Sequence, residues 1–473
     1  MNPILLELRF RMARGRLGAC TLPSSSNENE TRGPPLRKDL TGSRGFRFSG
    51  ALPMLLAGEH VVLENPMIAL SCLVLAVSLS PADPATGLWR AWLDSPGGEL
   101  PFGIELSKVE DRFEAMLLNG EERIPVPSVT WSGAELTLAM PHYDSRIVAT
   151  LAPDGRALEG TWTKRSGPET WTKMTFHARA GVKRRFAVER TAPKTPVPAR
   201  FRVKFESSDD PAVLQLSVDE QGTASATFLT TTGDYRYLAG AWSKNTLHLS
   251  CFDGAHAFLF RAERTASGEL RGDFWSRDSW HEGWTAKPDP GAALPDDFAQ
   301  TRWVAGIDLE DLTFPDLEGR PRSLADPEFQ GKARILYVFG SWCPNCHDQA
   351  AYLKELQERF GRRGLSIVGL AFELTGDFER NVRQVKRYQA RHGSTYPILI
   401  AGPSDKGEAT EALGALDRVR SYPTTIFLDE DGNVEAIHTG FTGPATGPTY
   451  DRLRTRFETI IERLLNRAED GGR

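Results

Sequence analysis

The sequence predicts a multi-domain protein in which a duplicated β-rich region, built as a barrel or a sandwich, precedes an α/β domain. The length of 473 residues is sufficient for two or three domains. From residue 87 to about residue 288, short strand patterns alternate with turns rich in Gly, Asp, Asn and Pro. From about residue 301, strands alternate with amphipathic helices, which is typical of an α/β domain.

Residues 1–66 are unlike a folded domain, since they are rich in Arg, Ser, Gly, Asn and Pro and lack hydrophobic periodicity. An apolar run follows at 67–79, between Pro66 and Pro81. This run is short for a membrane span but fits the core of a signal peptide. We interpret 1–66 as a disordered or mis-assigned extension and 67–82 as a signal peptide or membrane-targeting segment. A buried core segment is the alternative.

The β-rich region contains a weak internal repeat. The matched segments are 131–138 with 242–249, 158–162 with 270–275, and 169–172 with 282–285. Their offsets of 111, 112 and 113 residues keep one register with small insertions. Two copies of a β unit are therefore predicted, at 85–180 and 200–288, joined by a basic linker. They form either two small barrels or the halves of one sandwich.

The β-rich region does not reveal its own function. Its aromatic residues either line a ligand pocket or fill a β core, and alternate strand positions favour the core. Four histidines in this region have no metal-ligand spacing and are interpreted as surface or core residues. They are His142, His248, His256 and His281. Cys251 is interpreted as a small buried hydrophobic residue.

The C-terminal α/β domain is predicted over 300–470, after a Pro-rich linker at 287–295. The sequence predicts a hairpin at 314–320, strands at 335–339, 365–372 and 396–400, helices at 347–363, 378–392, 410–416 and 450–467, and a closing hairpin at 424–438. The strand at 335–339 is continuously apolar, which is typical of a central strand covered on both faces.

The most informative motif is the segment from Cys343 to His347, between this central strand and the helix after it. Of five cysteines, only Cys343 and Cys346 are close in sequence. The first sulfur lies at a helix N-terminus, where the macrodipole and free N–H groups favour a thiolate. The same letters spell Cys-x-x-Cys-His, the attachment signature of c-type haem. The regular strand and helix around the motif favour dithiol chemistry over haem.

The order of these elements resembles a thioredoxin fold, with a Cys-x-x-Cys pair after the first main strand and Tyr422-Pro423-Thr424 before a late strand. More narrowly, this domain resembles the TlpA/ResA-like family of extracytoplasmic thiol–disulfide oxidoreductases, which is related to the AhpC/TSA-type redoxins. The resemblance implies that Pro423 is a cis-proline beside the thiols that prevents their use as metal ligands. It also implies that Tyr422 and Thr424 contact an extended substrate.

The resemblance further assigns roles to the motif itself. Cys343 is implied to be the nucleophilic thiol and Cys346 the resolving thiol, with a redox disulfide between them. Trp342 is implied to shield the pair, and no metal or other cofactor is implied. Two positions depart from the family pattern, because Tyr337 and Gln349 stand where related proteins carry carboxylates. We therefore take Glu373, just past the next strand, as the replacement proton acceptor.

The working hypothesis is an extracytoplasmic disulfide reductase, exported or membrane-anchored through its N-terminal segment. Its predicted partners are disulfide-bearing protein substrates and an electron-donating redox protein. The net charge of −5 includes no basic footprint, which argues against a nucleic-acid partner. The alternatives are a non-catalytic or ligand-binding envelope protein with a vestigial redoxin domain, a peroxiredoxin-type antioxidant and a c-type haem protein. The peroxiredoxin alternative requires a cysteine preceded by Thr and Pro at short spacing, and residues 337–342 contain neither.

Overall fold

The computed structural model describes residues 83–304 and 306–471. The predicted extension at 1–66 and the apolar segment at 67–82 lie outside these residues. Within the described ranges, no helix has the length and apolar character needed to cross a membrane.

The first β unit is an open antiparallel sheet of nine strands. Its strands are β1 Gly87–Ser95, β2 Gly98–Val109, β3 Arg112–Asn119, β4 Glu122–Pro125, β5 Ser128–Ser132, β6 Glu135–Met140, β7 Ser145–Leu151, β8 Ala157–Arg165 and β9 Trp171–Ala180. Their order is β4-β3-β2-β1-β9-β8-β7-β6-β5, so the first and last strands pair in the middle. Burial alternates along most strands, which places one face against a core.

The second β unit repeats this plan with nine further strands. They are β10 Arg200–Phe205, β11 Ala212–Val218, β12 Thr223–Thr230, β13 Gly233–Asp234, β14 Leu238–Ser243, β15 Thr246–Phe252, β16 Ala257–Arg264, β17 Leu270–Ser276 and β18 Trp280–Pro288. β10 pairs with β18 as β1 pairs with β9. β12 also pairs with β14, which closes this unit into a barrel. The predicted duplicated β-rich fold is thus confirmed.

Glycines at equivalent positions of the two β units allow a close approach between neighbouring strands. A Cβ on Gly160 in β8 would lie 2.0 Å from the Val148 carbonyl oxygen, and one on Gly272 in β17 would lie 1.9 Å from that of Arg261. Only glycine permits such close approach of neighbouring backbones. The same packing constraint has therefore been kept in both copies.

The interior of the closed barrel is packed with aromatic side chains. Phe260 stacks on Phe274 at 4.3 Å between ring centroids, and Phe228 stacks on Phe260 at 4.7 Å. Cys251 lies in this core, as its setting in a β region predicts. A cavity of about 550 Å³ lies between the two units, against the linker at 182–190. The aromatic residues serve as core, which was the favoured interpretation.

The C-terminal domain has a five-stranded mixed sheet. A small hairpin comes first, formed by β19 Thr313–Pro315 and β20 Pro321–Ser323. The five strands and four helices that follow are β21 Ala333–Phe339, α1 Pro344–Phe360, β22 Leu365–Glu373, α2 Phe378–His392, β23 Ile398–Pro403, α3 Lys406–Leu413, β24 Thr424–Asp429, β25 Val434–Thr439 and α4 Pro448–Gly471. The order β23-β22-β21-β24-β25 places β21 at the centre, and all seven of its residues are buried. The predicted thioredoxin-like α/β fold is confirmed.

The helix predicted at 410–416 begins and ends earlier in the structure. α3 begins at Lys406 because the Asp405 side chain accepts hydrogen bonds from the backbone N–H groups of Gly407 and Glu408. It ends at Leu413, because Gly414 adopts a φ of +56° that terminates the helix. The apolar pattern alone had placed this helix too late in the chain.

Candidate active site

Cys343 caps the N-terminus of α1, directly after the central strand. Its Sγ accepts a hydrogen bond from the Cys346 backbone N–H at 3.3 Å, and its thiol donates to the Tyr422 carbonyl at 3.4 Å. Pro344 occupies the first turn, where its missing N–H is no loss. A sulfur in this position receives the positive end of the helix dipole. This arrangement presents the Cys343 sulfur to the free N–H groups at the start of α1.

Cys346 lies one turn into the same helix and is fully buried. Burial raises its pKa well above the ordinary value for a thiol, and the neighbouring Cys343 raises it further. Tyr337 and Tyr388 both donate hydrogen bonds to the Cys346 carbonyl, at 2.8 and 2.9 Å. The Tyr337 hydroxyl thus lies beside Cys346 at the position where a carboxylate was expected. Tyr388 was missed in the sequence, because nothing in its helix marks it as a site residue.

The residues predicted to surround the thiols lie around Cys343. The Tyr422–Pro423 peptide bond is cis, as the resemblance implies. The Trp342 indole donates to the Phe372 carbonyl at 2.9 Å and makes an edge-on contact with the Tyr422 ring. Thr424 is buried, and its hydroxyl donates to the Ser421 carbonyl at 2.8 Å. This hydroxyl is therefore engaged within the loop that carries Pro423.

Glu373 is fully buried near the dithiol. Its carboxylate accepts hydrogen bonds from the Ser341 N–H and the Ser341 hydroxyl, both at 2.8 Å. Burial raises the pKa of this carboxyl to about 7, although Ser341 and Arg380 oppose the shift. Arg380 lies 3.3 Å from Glu373 and also pairs with Asp144 of the first β unit. Glu373 therefore contacts Ser341, which lies two residues before Cys343 in the chain. Its role as proton acceptor stays a prediction.

His347, the residue that suggested haem, is engaged by protein groups at both ring nitrogens. Its Nε2 lies 2.8 Å from the Ser341 carbonyl, so Nε2 carries the proton. Its Nδ1 then accepts from His392 Nε2 at 2.7 Å. His142, from the one-turn helix between β6 and β7, packs on the His347 ring at 5.2 Å. Among the described residues, no group of three or more His, Cys, Asp or Glu is arranged to hold a metal ion.

This histidine cluster predicts acid sensitivity at the junction with the first β unit. Burial lowers the pKa of His142 to about 3, and the charges of Arg391 and His392 lower it further, while Asp253 opposes them. As pH falls below 6.5, the unfolded chain binds a proton that the folded chain excludes. His142 therefore makes the free energy of unfolding fall by about 1.4 kcal/mol per pH unit.

His142→Phe should remove that slope between pH 6 and pH 4.5, as measured by urea unfolding at each pH. His281→Phe is the control, because His281 lies on the surface with an exposed side chain. An unchanged slope in His142→Phe, or an equal change in both variants, would contradict the assignment.

The second β unit also reaches the dithiol. Asn345, between the two cysteines, donates from Nδ2 to the carbonyls of Asp234 and Phe441, both at 3.2 Å. Arg236 pairs with Asp348 on α1 and donates to the Pro344 carbonyl at 3.4 Å. No sequence signal predicts the contacts with Asp234 and Arg236, because these residues are more than 100 positions from their α1 partners.

Comparisons with known proteins match the C-terminal part of the chain. The model of the AhpC/TSA family matches residues 305–437. The thiol-disulfide oxidoreductase ResA of Geobacillus thermodenitrificans is 30% identical over 141 residues, which are 30% of this chain and 72% of that protein. The thioredoxin-like protein YneN of Bacillus subtilis is 31% identical over 135 residues, or 28% and 71% of the two chains.

Among solved structures, one similar chain is a putative thiol:disulfide interchange protein DsbE from Chlorobium tepidum. It is 20% identical, with a TM-score of 0.26, over 34% of this chain and 99% of that one.

Proposed function

Since this chain belongs, through its C-terminal third, to the AhpC/TSA family and its ResA-like thiol–disulfide oxidoreductases, we propose that it is a disulfide reductase acting through Cys343 and Cys346. The observation that carries this proposal is the position of the Cys343 sulfur. It caps α1, accepts the Cys346 N–H at 3.3 Å and faces the carbonyl of the residue before Pro423. A thiol at a helix N-terminus, beside the backbone of the residue before Pro423, suits attack on a disulfide in an extended chain.

The reaction proceeds in two exchange steps. The Cys343 thiolate attacks one sulfur of the substrate disulfide, forms a mixed disulfide and releases the other substrate sulfur as a thiolate that takes up a proton. Cys346 then loses its proton and attacks the Cys343 sulfur. This forms the 343–346 disulfide and releases the second substrate thiol. Two electrons pass from the dithiol to the substrate, and a thiol-bearing redox partner restores the dithiol.

The second step needs an acceptor for the Cys346 proton, because burial holds this thiol in its neutral form. Glu373, with a pKa raised to about 7 by burial, changes charge near neutral pH. Its hydrogen bonds to Ser341 connect it to the segment that carries the thiols. The hydroxyls of Tyr337 and Tyr388 hold the Cys346 carbonyl and fix the first turn of α1. We assign proton acceptance to Glu373 and positioning to the two tyrosines.

We further propose an extracytoplasmic location, exported or anchored through the segment at 67–82. The proposal is supported by the apolar run at 67–79 and by the implication of the TlpA/ResA-like resemblance. Its substrates would be disulfide-bearing proteins of that compartment, where disulfides form and persist. The two β units would contact the substrate, the redox partner or the envelope.

A non-catalytic role is the second candidate, and the burial of both thiols favours it. Cys343 is 1% exposed and Cys346 is 0% exposed. The haem alternative is disfavoured, since Ser341 and His392 occupy both ring nitrogens of His347.

Trapping the intermediate tests the function directly. In Cys346→Ser, the resolving thiol is absent, so a disulfide substrate should stay attached to Cys343 as a stable mixed disulfide. We expect mass spectrometry to show near-stoichiometric adduct that dithiothreitol removes, and no accumulation with the unchanged chain. The control is the double variant of Cys343→Ser with Cys346→Ser, which should give no adduct. Absence of an adduct in Cys346→Ser, or an adduct on Cys251, would refute the proposed nucleophile.

A further inference from the structure

The protein's own second β unit contacts the residues that flank the dithiol. Both sulfurs are buried, yet thiol–disulfide exchange requires the attacking sulfur to touch a substrate sulfur. The segment that lies against the site is the turn at 230–234, which runs from the last residue of β12 through the two-residue strand β13. We call this segment the 230–234 turn.

The 230–234 turn is held by the groups on either side of Cys343. Ser421, directly before Tyr422, donates from its hydroxyl to the Thr232 carbonyl at 2.7 Å. Asn345, two residues after Cys343, donates to the Asp234 carbonyl at 3.2 Å. Both donors bind main-chain carbonyls, so the turn is recognised as backbone. An extended substrate chain would offer the same acceptors to the same donors.

The contact also requires small side chains on both surfaces. Gly233 has a φ of +140°, and a Cβ there would lie 2.5 Å from Asn345 Nδ2. Gly440, whose N–H donates to the Pro423 carbonyl at 2.9 Å, faces the turn from the opposite side. A Cβ on Gly440 would lie 2.8 Å from the Thr232 carbonyl carbon. The two surfaces therefore fit as backbone against backbone.

The turn can leave without opening the barrel. β13 lies at the end of the strand order and pairs only with β12, whereas β12 closes the barrel through β11 and β14. The Asp234 carboxylate adds a latch, because it accepts from the Gly443 N–H of the C-terminal domain and from the Arg236 N–H. Release would break the bond from Gly443 to Asp234 and the terminal Ala212–Thr230 pair, and would leave the rest of the barrel ladders intact.

We propose that the surface formed by Asn345, Ser421 and Gly440 binds an extended chain with a glycine or other small residue beside its disulfide, and that the 230–234 turn occupies this surface until a substrate displaces it. The inference rests on the proposed function, since it names the substrate class and the internal competitor of the same site. The substrate carbonyls would accept from Asn345 Nδ2 and the Ser421 hydroxyl in place of Thr232 and Asp234.

The test is the rate at which iodoacetamide alkylates Cys343 in the reduced full chain, followed by peptide mass spectrometry. Gly233→Ala places a Cβ against Asn345 and should expel the turn. Gly222→Ala is the matched control at the other end of β12. It has a φ of +73°, and its Cβ would lie 2.5 Å from the Thr191 carbonyl oxygen, far along the strand from the dithiol.

In the unchanged chain, we expect Cys343 to react at least about 100-fold more slowly than in urea-unfolded chain. Gly233→Ala should raise the rate about tenfold or more, while Gly222→Ala stays within about twofold of the unchanged chain, since the rate follows the open fraction. If Gly233→Ala does not fold, Asp234→Asn replaces it, because it removes one acceptor of the latch at constant size. The same acceleration is expected.

Three outcomes would overturn the inference. These are unfolded-like reactivity of Cys343 in the unchanged chain, equal acceleration by both glycine variants, and no acceleration in a folded Gly233→Ala or Asp234→Asn. Alkylation needs no turnover, so the result is independent of the trapping experiment. A closed site in a chain that forms no mixed disulfide refutes the function alone. An open site in a chain that forms one refutes only this inference.

Discussion

Replacing Cys343 by serine will lower the rate of disulfide reduction by the full chain about 1000-fold or more, because a serine hydroxyl does not ionise at neutral pH and forms no disulfide. The measurement is kcat/KM for insulin-type disulfide reduction with an excess of a thiol reductant. The loss should be this large because the Cys343 sulfur alone faces the Tyr422 carbonyl at 3.4 Å, where a substrate backbone would lie.

The matched control for this prediction is Cys251→Ala. Cys251 is buried in the barrel core, and burial raises its pKa well above the ordinary value, so it cannot replace the missing thiolate. We expect Cys251→Ala to keep the rate of the unchanged chain within about threefold, since the change is confined to core packing. A Cys343→Ser variant with more than a tenth of the original rate would show that the reaction uses another thiol.

Arg236→Met is expected to destabilise the folded chain by roughly 3–5 kcal/mol, because it leaves buried carboxylates without their cation. Arg236 joins three parts of the molecule. Its guanidinium pairs with Glu122 of the first β unit at 2.5 Å, with Asp253 of the second at 3.2 Å, and with Asp348 on α1. The three acidic side chains are only 8%, 1% and 18% exposed. Methionine keeps much of the volume and removes the charge.

The free energy of unfolding in urea measures this effect, and Arg202→Met provides the control. Arg202 pairs with Asp289 at 2.8 Å, but its side chain is 59% exposed. Exposed pairs contribute about 0–1 kcal/mol, so the control should lose little stability. Equal losses in the two variants would mean that the Arg236 cluster is no more than a surface ion pair.

The C-terminal fold could be predicted because its signals are local. The continuous apolar run of β21, the helical pattern after Cys343 and the Tyr422-Pro423 pair are each contained in a short stretch of sequence. The β duplication was visible for the same reason, since each matched segment is short. Closure of the second unit could not be predicted from the repeat. The pairing of β12 with β14 closes the second unit, and the corresponding strands of the first unit are not paired.

The covered state of the dithiol was also beyond the reach of the sequence. The bond from Asn345 to Asp234 joins residues 111 positions apart, and no periodicity extends over such a separation. The sequence shows that residue 337 is a tyrosine rather than a carboxylate, but it does not show what the tyrosine contacts. The hydroxyl of Tyr337 instead donates a hydrogen bond to the Cys346 carbonyl. Predicting this bond requires knowing how β21 and α1 face each other.

The position of the 230–234 turn ahead of the cysteines has a consequence for biosynthesis. A ribosome adds about 5–20 residues per second, so a segment 111 residues earlier emerges roughly 5–20 s sooner. N-terminal units generally fold first, and the barrel is complete in the chain at β18, before the central strand of the dithiol domain is made. The dithiol domain would therefore fold beside a second β unit that is already formed. This order of synthesis would protect neighbouring chains from unintended exchange with a reactive thiol.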